Sequence, residues 1–314
     1  MNYDEKDLRA IESAGAFDRN DSVFFARQLE SIKAQAYDVK RAKLSALEVL
    51  PVSTAHPEGA TTITYRQYDA VGAAKIIANY ANDLPRADVT GKEFTSPVRG
   101  IGISYGYNMQ EIRSAQMTGM SLSEKKMRSA QRAHEELINR LAWFGDVEYG
   151  LPGFMTNANI PAYTVTADGT GSSKLWVNKT ADQIIRDVNG AINQVRTQSR
   201  DIHRANTVLM PLEQFAQISS QPRSSTTDTT ILGFLQANNP GVTFRPVLEM
   251  DNVSGFDKLV AGEFSADNLQ LELPMTFRQY SPQQKGLEFE IPCESRFGGV
   301  IIEYPLAFTI GDSI

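Results

Sequence analysis

Apolar residues recur along this chain with two different periods, and the change of period marks out its parts. In 22–40, Phe25, Leu29, Ile32, Ala36 and Val39 fall three or four residues apart, which lines them on one stripe of a helix. Arg27, Glu30, Lys33 and Lys40 lie largely off that stripe, so its apolar edge needs a partner. Residues 1–22 show no sustained period and read as an extended arm. Two prolines and a glycine break the pattern in 50–59. Beyond them Thr61–Tyr68, rich in β-branched and aromatic residues, predicts a strand. Leu84–Lys92 breaks regular structure again, and a second strand is expected through Val98–Tyr107. There Ile101, Ile103, Tyr105 and Tyr107 share one face while Gly100, Gly102, Ser104 and Gly106 share the other. Residues 61–107 therefore predict two strands joined by a long polar excursion. Such a hairpin has too little core to be stable alone and must rest on something else.

The helical period returns at 121–144. Ser121 and Glu124 form a capping box, and Met127, Ala130, His134, Leu137 or Ile138, and Leu141 repeat every three or four residues. Lys125, Arg128, Arg132, Glu136 and Arg140 mark the outer face, and Gly145 follows as a C-terminal stop. At 1.5 Å per residue this helix spans about 35 Å, a spine for a chain of this size. A second capping box, Thr180 with Gln183, opens a helix with Ile184, Val188, Ala191 or Ile192, and Val195 on one face. Asn206–Met210 predicts a buried strand. Pro211 fits the first position of a helix carrying Leu212, Phe215 and Ile218, and Thr230–Ala237 a further short one. From Val242 onward the pattern is mostly strands: 242–244, 258–263, 269–273, 275–280, 287–293, 300–303 and 306–309.

Candidate chemistry is scarce. His56, His134 and His203 are dispersed and Cys293 is the single cysteine, so neither a metal set nor a disulfide framework is expected. Cys293 falls on the apolar side of a strand pattern, where a buried, inert thiol is expected. No Gly-x-Ser-x-Gly elbow is present, and Gly100, Gly102 and Gly106 lie inside a strand rather than between a strand and a helix. Asp146 and Glu148 read as turn residues, and Lys40, Arg41 and Lys43 as a solvated face. With 31 basic against 37 acidic residues, a net charge of −6, the chain lacks the excess cation of a duplex-gripping protein. It carries no secretory signal and no apolar run of about 20 residues that could span a bilayer. No enzymatic activity and no cofactor are expected. A reducing, cytoplasmic compartment is.

What remains is architecture: an arm, a hairpin without its own core, and a spine helix suggest a subunit completed by its neighbours. The element order resembles the Hong Kong 97-type fold of tailed-bacteriophage major capsid proteins and their encapsulin relatives. Locally, Glu135-Glu-Leu-Ile-Asn-Arg-Leu-Ala-Trp-Phe-Gly-Asp-Val-Glu-Tyr-Gly-Leu-Pro-Gly-Phe-Met-Thr-Asn looks like that family's spine-helix end and glycine turn. The closing Gly299-Val-Ile-Ile-Glu-Tyr-Pro-Leu-Ala-Phe is similar to its final strands.

The resemblance implies an α+β fold with an N-terminal arm (1–55), an extended loop or hairpin (56–110), and a peripheral domain (111–178) built on the spine helix. An axial domain (179–275) and return strands of the peripheral domain (276–314) follow. It further implies a structural subunit of an icosahedral phage head that assembles with itself into hexamers and pentamers in the bacterial cytoplasm. The head would enclose DNA without sequence-specific binding, with a separate scaffolding protein and portal as partners and no membrane. Neighbour contacts would involve Phe25, Leu29 and Ile32 of the arm and Tyr65, Tyr68 and Arg86 of the hairpin. Lys75 and Lys92 lie in the same loop, although nothing marks either for the covalent crosslinking that some relatives perform. An encapsulin-type nanocompartment shares the fold, and another virion structural protein is a further alternative. If the arm stripe binds a neighbour, alanine at 25, 29 and 32 together leaves soluble, folded protein that forms no shells by electron microscopy. Unfolding of that variant would instead place the stripe in the subunit's own core.

Overall fold

The spine helix organises the chain because all of its last carbonyls find partners in the segment that follows. The computed structural model describes residues 42–71, 88–118, 122–224, 226, 228–312 and 314; the arm stripe of Phe25, Leu29 and Ile32, Arg86, Lys75 and the cap at Ser121 lie outside them. In chain order the elements are α1 (Ala46–Val49), β1 (Val52–Ser53), β2 (Thr62–Val71), β3 (Asp88–Pro97), β4 (Arg99–Asn108), α2 (Met109–Thr118) and the spine helix α3 (Leu122–Phe144). There follow β5 (Ala162–Tyr163), α4 (Ala181–Gln198), β6 (Thr207–Met210), α5 (Leu212–Ser220), α6 (Ile231–Asn238), β7 (Thr243–Pro246) and β8 (Lys258–Gly262). The last are β9 (Leu269–Glu272), β10 (Met275–Gln279), β11 (Gln283–Lys285), β12 (Glu288–Phe297), β13 (Val300–Ile302) and β14 (Phe308–Asp312).

At the end of α3, Gly145 turns with φ +67° and its N–H donates to Leu141 O at 2.8 Å. The chain then doubles back, so that Phe154 N–H donates to Ala142 O and Met155 N–H to Trp143 O, at 2.9 and 2.8 Å. Thr156 Oγ1 donates to Phe144 O at 3.2 Å, which completes the four carbonyls a helix end leaves open. This return requires glycine: a Cβ on Gly153 would sit 2.2 Å from Gly145 N. It also delivers Phe154 edge-on to Trp143 and Phe308, at centroid distances of 5.8 and 5.4 Å, all three fully buried.

Two apolar cores result, and one sheet is their common wall. The five-stranded sheet runs β5–β14–β8–β6–β7, with β8 antiparallel to both of its neighbours. Its alternation serves both cores. Leu209 of β6 and Val260 of β8 pack with Trp143, Phe154, Phe297 and the spine helix, while Val208, Met210, Leu259 and Ala261 pack with α4, α5 and α6. On α4, Ile184, Val188, Ala191, Ile192 and Val195 form the expected stripe, and Gln183 Oε1 accepts from Thr180 N–H at 2.8 Å at its start. Thr230 caps α6 by accepting from Gly233 N–H at 3.2 Å. Pro211 stands one position earlier than expected, as the residue capping α5.

Three polar groups are threaded through this apolar interior. Lys179 and Asp187, both fully buried, pair at 2.5 Å, and Lys179 also donates to Thr166 O at 2.7 Å. Burial pushes the Asp187 carboxyl upward, and Lys179 pulls it back. Asn139 of the spine accepts from Ala46 N–H at 2.8 Å and donates to Glu249, while Ser45 joins Trp143 Nε1 to Glu249 at 2.9 and 2.6 Å. His134, buried on the spine's apolar stripe, meets Ser295 of β12 at 2.5 Å and Phe277 of β10 edge-on at 5.0 Å.

Two expectations are corrected. Val98–Tyr107 is not the partner of Thr61–Tyr68. β2 pairs antiparallel with β3 from Thr62↔Pro97 to Val71↔Asp88, and the chain turns a corner at Val98 so that β4 pairs with β12, from Arg99↔Phe297 to Asn108↔Glu288. The corner follows from burial. Ile101 of β4 is buried on the spine side, whereas the first eight residues of β3 are all exposed and bury nothing. Second, residues 276–314 do not return as one piece. β10 and β11 join β12 and β4 against the spine helix, β13 pairs with β9, but β14 lies between β5 and β8 in the five-stranded sheet. Phe308, Ile310 and their neighbours carry enough apolar surface to fill that slot.

Burial holds the His134 imidazole below its usual pKa, so the folded state resists its protonation. The unfolded chain then binds one proton more as pH falls below about 6.5, and stability declines by up to about 1.4 kcal/mol per pH unit from this group. Urea unfolding at pH 7.5 and 5.5 should show this loss in the parent. His134→Gln, which keeps a hydrogen-bonding side chain beside Ser295 but does not titrate, should reduce the acid-induced loss.

Candidate assembly surface

The hairpin β2–β3 is anchored at its root and exposed beyond it. Ile63, Val98 and Ile301 form a small buried cluster there, with Tyr65 packed against it. Ser96 Oγ donates to Gly298 O at 2.8 Å from a buried position. Beneath the root, buried Glu272 has His56 Nε2 at 3.7 Å, and burial pushes its carboxyl upward. Farther out, opposed residues hold the ribbon together. Tyr65 stacks on Phe94 at 5.2 Å, Thr64 and Thr95 share a 3.3 Å hydroxyl contact, and Arg66 pairs with Glu93 at 2.7 Å. The ion pair lies in solvent, where screening leaves it little net stabilisation. Tyr68 lies across Gly91, where an added Cβ would come within 3.1 Å of its ring. The other side of that ring is open, for Tyr68 is 65% exposed and Val89 60%.

A second apolar surface lies beside the root. Gln67, Ile202, His203, Tyr304, Pro305 and Leu306 line a groove of about 550 Å³. Its most exposed apolar side chain, Ile202 at 76%, sits on a turn that closes α4. Arg200 and Asp201 there adopt φ of +54° and +66°, a region that non-glycine residues rarely occupy in succession. The turn is held by Ser199, which accepts from His203 N–H at 3.1 Å and donates to Val195 O at 2.7 Å. Asp201 is braced by Arg196 at 2.7 Å and Arg204 at 3.1 Å, which hold its carboxyl below the usual range. His203 Nδ1 lies 2.8 Å from Glu263. The backbone is thus fixed in an unfavourable shape that presents an isoleucine to solvent, as expected of a contact point rather than of a core.

Of the sequence-predicted contact residues, Tyr65 turns its ring toward the body, where burial and Glu303 push its hydroxyl pKa upward, and Tyr68 projects from the opposite face of β2. Phe25, Leu29, Ile32 and Arg86 lie outside the described residues. Ile202 escaped the sequence reading, because an apolar residue alone between Asp201 and His203 carries no period, and Leu306, expected to begin a strand, lies instead in the single turn Pro305–Ala307 before β14. Cys293 is buried and free, its thiol pushed upward by burial. Asp146 Oδ1 accepts from Glu148 and Tyr149 N–H as a turn cap. Among the described residues, no three His, Cys, Asp or Glu side chains come together as a ligand set, and no helix is long and apolar enough to cross a membrane.

Comparison with known proteins places this surface in context. The model of the major capsid protein family matches residues 72–314, about three quarters of the chain, and the chain belongs to that family. The capsid of Myoviridae phage XM1 superposes with a TM-score of 0.80 at 17% identity, covering 93% of this chain and 99% of that one. The capsid of the native GTA particle gives 0.65 at 11% identity over 93% and 99%. The virus-like particle from Pyrococcus furiosus gives 0.53 at 12% identity over 84% and 90%. No curated protein matches the sequence. The α+β, Hong Kong 97-type capsid fold implied by the sequence is the fold observed, and the chain is a structural subunit of a viral capsid.

Because the hairpin beyond its root buries little, Tyr68→Ser with Val89→Ser should change the unfolding free energy by no more than about 0.5 kcal/mol each. Ile63→Ala, which opens a cavity at the root, should cost about 2–4 kcal/mol locally. Limited proteolysis should accordingly cleave the Ile63→Ala hairpin sooner than that of the double serine variant.

Proposed function

We propose that this subunit builds the icosahedral head of a tailed bacteriophage through hexamers and pentamers that enclose the DNA genome. The observation that carries the reading is the braced turn presenting Ile202 into the groove beside the hairpin root, an apolar surface that no other described residue covers. Arm contacts through Phe25, Leu29 and Ile32 and hairpin contacts through Tyr65, Tyr68 and Arg86 extend it. In this reading 179–275 supplies most of an axial domain around the capsomer axes, and 1–55 and 56–110 reach neighbours as arm and hairpin. A net charge of −6 suits a container that encloses DNA without gripping particular sequences. A separate scaffolding protein and a portal complete the head, assembled in the bacterial cytoplasm. The subunit acts by packing, with no catalytic role.

A second reading, a nanocompartment shell, is favoured by the match to the Pyrococcus furiosus virus-like particle. The contents of particles recovered from the native source separate the two: packaged DNA supports the head, an enclosed protein the compartment. Negative-stain microscopy of the purified chain should show shells of uniform diameter. Ile202→Asp with Leu306→Asp should retain the parent melting midpoint and yield only unassembled subunits. Shells from that variant would remove the groove from the assembly surface.

A further inference from the structure

Among the described residues, one edge of the sheet beside the spine helix is left largely unguarded. β4 runs for ten residues and pairs with β12 along its whole length. Two observations fix which backbone groups are used. Met109 N–H donates to Leu287 O at 3.0 Å, and Pro292, which has no N–H, stands opposite Ser104. Odd-numbered positions of β4 therefore bond to β12, and the N–H and C=O groups of Gly100, Gly102, Ser104 and Gly106 point the other way. Lys126 Nζ closes one end by donating to Gly106 O at 2.8 Å. From Gly100 to Ser104, no strand among the described residues meets that edge. Native proteins protect a long edge with proline, a bulge, a lysine or a covering loop. Here the lysine guards one end alone, and glycine at 100 and 102 leaves no side chain in the way.

We infer that this edge of β4 pairs with an extended strand of a second copy of the same chain. The inference rests on the shell reading and names one of its contacts. Three observations select the occupant. The chain belongs to a family of capsid subunits. Each copy carries a two-stranded hairpin whose strands, at ten residues each, equal β4 in length and meet no third strand among the described residues. Beside Gly100 and Gly102, a largely apolar recess of about 320 Å³, lined by Leu137, Leu141, Tyr149 and Leu151 with Arg140 and Asp146 next to them, leaves room for side chains of an added strand. Added main-chain hydrogen bonds give such a contact its strength, and the side chains in the recess give it register.

Hydrogen exchange of the purified chain, read by mass spectrometry on peptides spanning 99–106, tests this directly. The even-position amides should exchange rapidly in dilute, unassembled subunits and slow by roughly 100-fold or more in capsomers or shells. Ser104→Pro supplies a second reading, since it removes an N–H that points away from β12 and leaves every β4–β12 bond in place. It should fold with a melting midpoint close to the parent's and lose assembly. Shells or capsomers whose 99–106 amides remain unprotected overturn the inference and leave the shell reading standing. So does Ser104→Pro protein that assembles as the parent does, or protection that appears only when a different protein is added. A parent chain that stays monomeric at every concentration, alone and with a scaffolding protein, overturns both.

Discussion

The subunit depends on one sheet being apolar on both faces. β6 and β8 are short and central, and their alternation sends Leu209 and Val260 to the core beneath the spine helix and Val208, Met210, Leu259 and Ala261 to the core beneath α4. A strand buried on both sides cannot slip by one residue without exchanging the two sets of side chains, and here they differ in size and partners. The register of this wall thus fixes both halves of the molecule at once. The final strand β14 is part of the wall, so the end of the described chain is held by its centre.

The same constraint explains what is left outside. Once the sheet and the spine helix have taken up most of the large apolar residues, the hairpin fixes its root with Ile63, Val98, Tyr65 and Ser96, and its strands hold one another by paired side chains in solvent. Polar groups within the cores act as fasteners. Asn139 stands on the spine where leucine would fill the space, yet it ties the segment at Ala46 and the loop at Glu249 to one helix. Leaving any of these partners alone would bury an unpaired group, which is costly enough to exclude alternative packings.

Legibility in the sequence followed burial. The spine helix, α4 and most strands from β8 onward were readable because each presents a periodic stripe or a tight alternation to a core; β11, exposed at all three residues, was not. β3 was not. Its Asp88, Gly91 and Lys92 resemble a loop, and its strand conformation is imposed by the partner β2 rather than by anything it buries. The assignment of β4 failed differently: its bulky odd face was read correctly, but the partner that face implies is β12, nearly two hundred residues away in the chain. The capsid class was legible from element order and from the glycine turn at Gly145–Gly153, whose close approach tolerates no side chain. The groove around Ile202 was invisible, since one exposed residue on a strained turn leaves no pattern.

Backbone strain and an open edge would each be a liability in a solitary protein. Left-handed backbone at Arg200 and Asp201 costs of order 1–3 kcal/mol per residue, and the fold spends two ion pairs and the Ser199 hydrogen bonds to maintain it. An unpaired edge invites aggregation unless its intended partner reaches it first. These features become economical only when the missing partner is abundant and identical, as it is in a shell, because assembly then adds its free energy to a body that is already folded. That division suits a capsid subunit. The two-sided sheet and spine complete the cores of the body, and the groups at the hairpin, the groove and β4 that meet no partner among the described residues lie at its surface, where meeting them would require no refolding of either core.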